Sequence, residues 1–170
     1  MKIYREWSTP NKFTFRIKPI KNLLRRYING GVWVDPMSGQ HTLVKMTNDI
    51  NTKSKAMQNK DALDFLKEFK DESVDGVIFD PPYSYEMAKR LYSKDYKDTV
   101  EFLKYILSCK NEIGRIIKPG GYAILCGWNS GGIGGKFDFD LVEVLVVCHG
   151  RSRNDTIVTV ERRMNGRIEG

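Results

Sequence analysis

An apolar run, Val77-Ile78-Phe79, delivers Asp80-Pro81-Pro82-Tyr83 at its end. A carboxylate accepts hydrogen bonds, and two successive prolines carry no amide hydrogens, so Asp80 and the Pro81 carbonyl make a corner of acceptors with no competing donors. The proline rings also hold this backbone extended and stiff. The partner such a corner suits is an exocyclic amine on an aromatic ring. Its lone pair is delocalised into the ring, and drawing its hydrogens towards two acceptors frees that pair for attack. Tyr83 adds a flat face on which the ring can lie. The ordinary alternative is a proline-rich turn closing a strand.

Other residues could serve the same chemistry. Asp35-Pro36-Met37-Ser38-Gly39 follows the short apolar run Val32-Trp33-Val34, and Gly39, lacking a side chain, lets a ligand come close to the backbone. Asp49 ends a second β-rich run, with Asn48 and Asn51 as register neighbours, and Asp61-Ala62 opens a helical pattern in which Asp61 is equally a helix cap. Between Ser84 and Lys97, bases and aromatics interleave: Tyr85, Lys89, Arg90, Tyr92, Lys94 and Tyr96. That pattern suits a nucleic-acid loop or an amphipathic helix with snorkelling lysines. The glycine-rich stretch from Asn129 to Lys136 reads as a loop over a pocket or a hairpin tip, and the link His149-Gly150-Arg151-Ser152-Arg153-Asn154 brings His149, Arg151 and Arg153 as further substrate candidates. No metal site is expected. Cys109, Cys126 and Cys148 are far apart among apolar neighbours, and neither histidine stands at ligand spacing from them.

The elements that must carry these residues alternate. Ile20, Leu23, Leu24, Tyr27 and Ile28 recur at helical spacing from Lys18 to Asn29, closed by Gly30-Gly31. Strands are predicted at Val32–Val34 and Leu43–Thr47, a short helix from Asp61 to Phe69, and a buried strand from Val74 to Phe79. Asp98-Thr99-Val100-Glu101 has the form of a capping box, and the apolar pattern behind it runs to Pro119-Gly120-Gly121. Strands follow at Tyr122–Cys126, Leu141–Cys148 and Thr156–Glu161, the last two as an antiparallel pair at the end of the sheet. This order implies an α/β, doubly wound, mostly parallel sheet with ligand groups at the carboxyl ends of its strands.

In these residues the chain resembles the S-adenosylmethionine-dependent amino-methyltransferases, whose signature Asp80-Pro81-Pro82-Tyr83 matches. Val34 to Gly39 is similar to that family's first cofactor motif, in its Asp-Pro-x-x-Gly form, and the likeness extends over residues 11 to 163. The resemblance implies a Rossmann-like class I methyltransferase fold of seven strands with one antiparallel strand near the C-terminus. It implies S-adenosylmethionine as cofactor, held by Thr14, Phe15, Asp35, Pro36, Gly39, Asp49, Asp61 and Ala62. Asp49 would then bind the ribose hydroxyls, and Asp61 with Ala62 the adenine. Asp80, Pro81, Pro82 and Tyr83 would be catalytic, and the expected reaction is methylation of adenine N6 in DNA. No metal or covalent intermediate is called for. Because the target nitrogen is stacked inside a duplex, the base would flip out, or the substrate would be single-stranded.

The bulk properties agree with one catalytic domain over residues 1–170. No run approaches the ~18 unbroken apolar residues of a membrane span, so a cytoplasmic protein is expected. Lys and Arg number 28 against 21 acidic residues, a net charge of +7 that favours a polyanion such as DNA, with RNA as the alternative. The basic residues gather near both ends, at Lys12, Arg16, Lys18, Lys21, Arg25 and Arg26 and at Arg151, Arg153, Arg162, Arg163 and Arg167. Family members with strict sequence preference carry a separate recognition region, and none is legible here. Loose preference, a homodimer or a specificity partner is therefore expected. Two rivals stand beside the adenine reading: a ribosomal-RNA guanine-N2 methyltransferase, which uses a nearly identical turn, and a non-catalytic nucleic-acid-binding subunit of the same fold.

Overall fold

The computed structural model describes residues 1–92, 96–133, 138–150 and 153–165. Its elements are β1 (Lys2–Trp7), a 3-10 turn (Thr14–Arg16), α1 (Lys18–Tyr27), β2 (Trp33–Asp35), β3 (Met46–Thr47), α2 (Ala62–Lys67), β4 (Val74–Phe79), α3 (Tyr85–Leu91), α4 (Thr99–Ile116), β5 (Ile117–Gly127), β6 (Phe139–Cys148) and β7 (Thr156–Arg163). The strands form one sheet in the order β1-β6-β7-β5-β4-β2-β3. Every pairing is parallel except those of β7, which runs antiparallel to both β5 and β6. Chain order reverses between β2 and β4, so Asp35 and Asp80 leave adjacent strands at the crevice where such folds take ligands.

Local chemistry sets the helix boundaries. Pro19 sits in the first turn of α1, where its missing amide costs nothing, and Ile20, Leu23 and Leu24 face inward, fully buried. The Asp98 side chain accepts from the Glu101 amide at 2.9 Å, while Glu101 accepts from the Lys97 amide at 2.6 Å, a reciprocal cap on α4. The Asp61 and Ser84 side chains cap α2 and α3. Helix α1 covers one sheet face, packing with Trp33, Ile78, Ile124, Leu145 and Val158; α2 and α4 cover the other against Val34, Val77, Phe79 and Leu125. Gly76 is required where it stands, because a Cβ there would lie 2.5 Å from the Trp33 ring.

Three features differ from the sequence expectation. The seventh strand is β1, which pairs parallel with β6 along the sheet edge. The pair β6–β7 does not end the sheet: β7 is inserted between β6 and β5. The strand expected at Leu43–Thr47 shrinks to Met46–Thr47, and Leu43 and Val44 pack against the core from an irregular connection. Residues 36–45 thus join two parallel strands without a helix.

β1 is fastened by one carboxylate. Glu143 on β6 accepts from the Tyr4 hydroxyl at 2.6 Å and the Tyr27 hydroxyl at 2.6 Å, and pairs with Arg26, which also donates to Tyr4 at 2.8 Å. Burial opposes the charge on Glu143, but these bonds outweigh it and hold the carboxyl below its ordinary range. Glu143→Ala is expected to destabilise the fold by about 2–4 kcal/mol, with the half-exposed Arg26 contributing least. Urea denaturation measures this; a loss below about 0.5 kcal/mol would mean β1 docks without the network. Among the described residues no helix is long and apolar enough to cross a membrane.

Candidate active site

The carboxyl ends of β2, β4, β5 and β6 open onto a cavity of about 640 Å³. Asp80, Pro81 and Pro82 form part of its wall, with Thr14, Phe15 and Gly39 lining it as well. Its neighbour is a slot of about 20 Å³, between Asp61, Ala62, Ile50 and the rings of Tyr96, Phe102 and Tyr105. Met37, Pro82 and Tyr92 line both spaces and form the partition between them. The slot holds about one water, so a planar ring enters it only if the partition gives way.

Asp80 is already engaged. The Tyr83 hydroxyl donates to its Oδ1 at 2.7 Å, and the Thr14 hydroxyl lies near the same carboxyl. Burial pushes the Asp80 carboxyl above the ordinary carboxylate range, and these two hydroxyls only partly oppose the shift. Burial likewise raises the Tyr83 hydroxyl, with the Asp80 charge reinforcing it, so Tyr83 stays a donor at every working pH. The Tyr83 ring meets Trp128 edge-on, at 5.7 Å between centroids and 72° between planes. Trp128 is a cavity residue absent from the sequence expectation; its signal was an aromatic directly beyond the strand end Cys126-Gly127.

Asp35 is fully buried at the end of β2. Its Oδ1 accepts from the Met37 amide at 3.2 Å, whereas Oδ2 has no hydrogen-bond partner. Burial raises its carboxyl to about 7, the nearby Thr42 hydroxyl and the Met37 amide oppose the shift, and the Asp80 and Asp49 charges add to it. An orphaned buried carboxylate oxygen calls for a positive group. Behind it, Gly39 adopts φ +56°, a left-handed turn that favours glycine, with nothing within 4 Å of where a Cβ would stand.

That turn is tied down by Asp49 and Asn48. Asp49 accepts from the Gly39 amide at 2.8 Å through Oδ2 and from the Asn51 amide at 2.7 Å through Oδ1. It lines neither cavity. Asp49 ties down the glycine turn from behind, and Asp35 likewise lines neither cavity. Asn48, fully buried, donates to the Pro36 and Lys60 carbonyls at 3.0 Å each and accepts from the Lys60 amide at 2.9 Å. Asn48→Ala orphans these backbone groups and is expected to cost about 2–4 kcal/mol. A lowered thermal midpoint checks it; a shift under about 1 °C would show that water replaces the side chain.

Asp61 combines the two roles the sequence allowed. Its Oδ1 caps α2 by accepting from the Leu63 amide at 2.9 Å, while Oδ2 accepts from the Tyr105 hydroxyl at 3.0 Å inside the slot. The structure divides the substrate candidates. Arg90, His149 and Arg153 line the cavity, whereas Arg151 lies outside the described residues. Tyr85 turns away: its hydroxyl donates to the Tyr96 carbonyl at 3.0 Å, with Lys89 5.4 Å above its ring. His149 is also a tie, its ring nitrogens bonding the Ser8 carbonyl at 2.9 Å and the Thr156 hydroxyl at 3.0 Å. Of the glycine-rich stretch, residues 134–136 lie outside the described residues, and Ile133 donates its amide to the buried Glu161 at 2.6 Å. Among the described residues no cluster could hold a metal ion.

No family model matches the chain. A Methanocaldococcus jannaschii protein, MJ1233, is 46% identical over 61 residues, 36% of this chain and 16% of that protein. Among solved structures, TrmN from Thermus thermophilus superposes with a TM-score of 0.60 at 15% identity, over 87% of this chain and 49% of its own. The chain therefore spans about half of TrmN and a smaller share of MJ1233. The N-methyltransferase NodS from Bradyrhizobium japonicum is similar at a TM-score of 0.57 and 13% identity, over 87% of this chain and 96% of its own. A Burkholderia thailandensis 1,6-didemethyltoxoflavin-N1-methyltransferase, solved with S-adenosylhomocysteine bound, is similar at 0.57 and 10% identity, over 87% and 78%. The chain has the Rossmann-like α/β fold of these methyltransferases.

Proposed function

We propose that this chain transfers a methyl group from S-adenosylmethionine to the exocyclic N6 of adenine in DNA. The observation that carries the reading is the open corner: Asp80 and Pro81 stand on the wall of a cavity of about 640 Å³ rather than beneath packed side chains. The residues fit the cofactor. The unpartnered Asp35 oxygen suits a ligand ammonium or sulfonium, the bare turn at Gly39 gives a close approach, and Asp61 with Ala62 offers a carboxylate and a small apolar wall to an adenine. The S-adenosylhomocysteine bound to the toxoflavin methyltransferase is the demethylated form of this cofactor, held on a similar fold. Bound, S-adenosylmethionine supplies a methyl group made electrophilic by its positive sulfur.

The chain's own residues orient the amine. Asp80 and the Pro81 carbonyl accept its two hydrogens and draw its lone pair out of the ring. A carboxylate has about four lone-pair sites, so Asp80 keeps acceptor capacity beyond its Tyr83 bond and the neighbouring Thr14 hydroxyl. The raised proton affinity of Asp80 suits it to take the proton that the nitrogen sheds on alkylation. Pro82 and Tyr83 confine the base, while Asp49 keeps the glycine turn in shape from behind. The chemistry asks the protein mainly for orientation and placed charge.

Nucleic acid as the partner is supported by Arg90 and Arg153 on the cavity lining and by the net charge of +7. A second copy or a partner would supply any strict sequence preference. Labelled cofactor is incubated with DNA and with RNA, and digestion to nucleosides with mass spectrometry identifies the product. N6-methyladenine from DNA is expected; N2-methylguanine from RNA would replace the reading with its rival, and binding of polynucleotide without cofactor affinity would mark a non-catalytic subunit.

A further inference from the structure

Beside the cavity, cations crowd a pair of aromatic rings. Lys12 Nζ lies 4.8 Å from the centroid of Phe13 and Arg16 Cζ 5.2 Å, while His41 meets the same ring edge-on at 4.3 Å and 76°. Burial lowers the proton affinity of His41, and the charges of Arg16, Lys55 and Lys12 lower it further. Among the described residues, neither Lys12 nor Arg16 forms an ion pair, whereas Arg26, Lys60, Lys67, Arg115, Lys118 and Arg163 all do. Like charges gathered without counter-charge repel one another, and an arriving anion removes that cost.

The charge around the cavity is sorted by sign. Asp80 lies on its wall and Asp35 close enough behind for the Asp80 charge to raise its proton affinity, whereas Lys12, Arg90 and Arg153 line it as cations. A cationic ligand is drawn inward and an anionic chain towards the cations. Phe13 and His41 also line the cavity, so an anion held against their cluster stays beside the space that takes the reacting group.

Resting on the nucleic-acid reading above, we propose that Lys12 and Arg16, set around the Phe13–His41 pair, form a clamp for the phosphodiester backbone next to the target nucleotide. The ring packed under the two cations limits their wandering and so reduces the entropy lost when they close on phosphate. The clamp carries no base preference; it fixes where the strand runs.

Fluorescence anisotropy of a labelled single-stranded oligonucleotide, read across a salt series, tests this. The combined variant Lys12→Ala/Arg16→Ala is compared with Lys70→Ala/Lys104→Ala, which removes equal charge from exposed positions after α2 and on α4. The clamp variant is expected to lose about 1.4 from the slope of log K against log salt, at about 0.7 per contact, and about tenfold in affinity at 0.1 M salt. The control should change affinity less than about twofold. Calorimetry with S-adenosylmethionine should give one affinity for all three proteins, showing that fold and cofactor site survive. An unchanged slope, or equal losses in both variants, overturns the clamp while polynucleotide binding by the unmodified protein upholds the broader reading. Cofactor binding with no polynucleotide binding at all overturns both. If the product is a base other than adenine, the clamp stands and only the choice of base falls.

Discussion

Asp80→Ala is expected to lower kcat for methyl transfer by about 10³-fold while changing S-adenosylmethionine affinity less than about threefold. The split follows from geometry. Asp80 lines the larger cavity and is absent from the slot, where Asp61 and Ala62 lie. Its acceptor oxygens matter most once the amine nitrogen leaves the plane of its ring, so the loss falls on the chemical step rather than on binding. The substitution frees the Tyr83 and Thr14 hydroxyls, both on the cavity lining, where water can satisfy them, and the fold should survive. Asp80→Asn retains one acceptor but no basic site, and should fall between the two, at about 10²-fold. Single-turnover transfer to a polynucleotide beside calorimetry of the cofactor makes the measurement. Normal turnover by Asp80→Ala would remove the carboxylate from the reaction.

The same corner shows what a sequence carries well. Val74–Phe79 and Asp80-Pro81-Pro82-Tyr83 are legible because the apolar residues Val77-Ile78-Phe79, with Val74 before them, read as a short buried strand, and the paired prolines end it. Helix α1 and the Asp98 cap are legible for similarly local reasons. β1 is not, since Lys2-Ile3-Tyr4-Arg5-Glu6-Trp7 is an edge strand with little buried face: Ile3 is 65% exposed and Trp7 70%. What holds it is its ladder with β6 together with the side chain of Glu143, far away in the chain, and no periodicity reports either. Leu43 and Val44 mislead in the opposite sense. Their β-branched and apolar character serves packing from an irregular connection, while Asn48, a polar residue, supplies through its side chain the order a strand would have given. Asp49 stands two residues past the end of β3, and its hydrogen bonds are not readable from the sequence: two backbone amides 2.7–2.8 Å away claim its oxygens, and which amides lie near is a property of the folded turn.

The affinity for S-adenosylmethionine should rise about tenfold between pH 6 and pH 8, and this rise should vanish in Asp35→Asn. Asp35 carries its carboxyl at about 7, against an ordinary 3.8, because burial disfavours its charge and Asp80 and Asp49 face it. About a tenth of the molecules have it ionised at pH 6 and about nine-tenths at pH 8, and only the ionised form attracts a ligand cation. Stability moves the other way. Between pH 4 and 7 the folded chain keeps this proton and the unfolded chain has lost it, so stability is fully present below about pH 4, falls as pH rises to 7, and then levels off. A shift of about 3 units corresponds to about 4 kcal/mol, an order-of-magnitude figure for a fully buried group. Asp35→Asn removes the charge and should leave the protein more stable than the unmodified chain at pH 8 while binding cofactor about 10²-fold more weakly. Opposite signs in one variant separate a ligand-facing carboxylate from a structural one, whose loss would lower stability. Urea denaturation at pH 5 and pH 8, set beside calorimetry at pH 6 and pH 8, reads both signs. A cofactor affinity flat across that range in the unmodified protein would show that the buried Asp35 oxygen meets no cation.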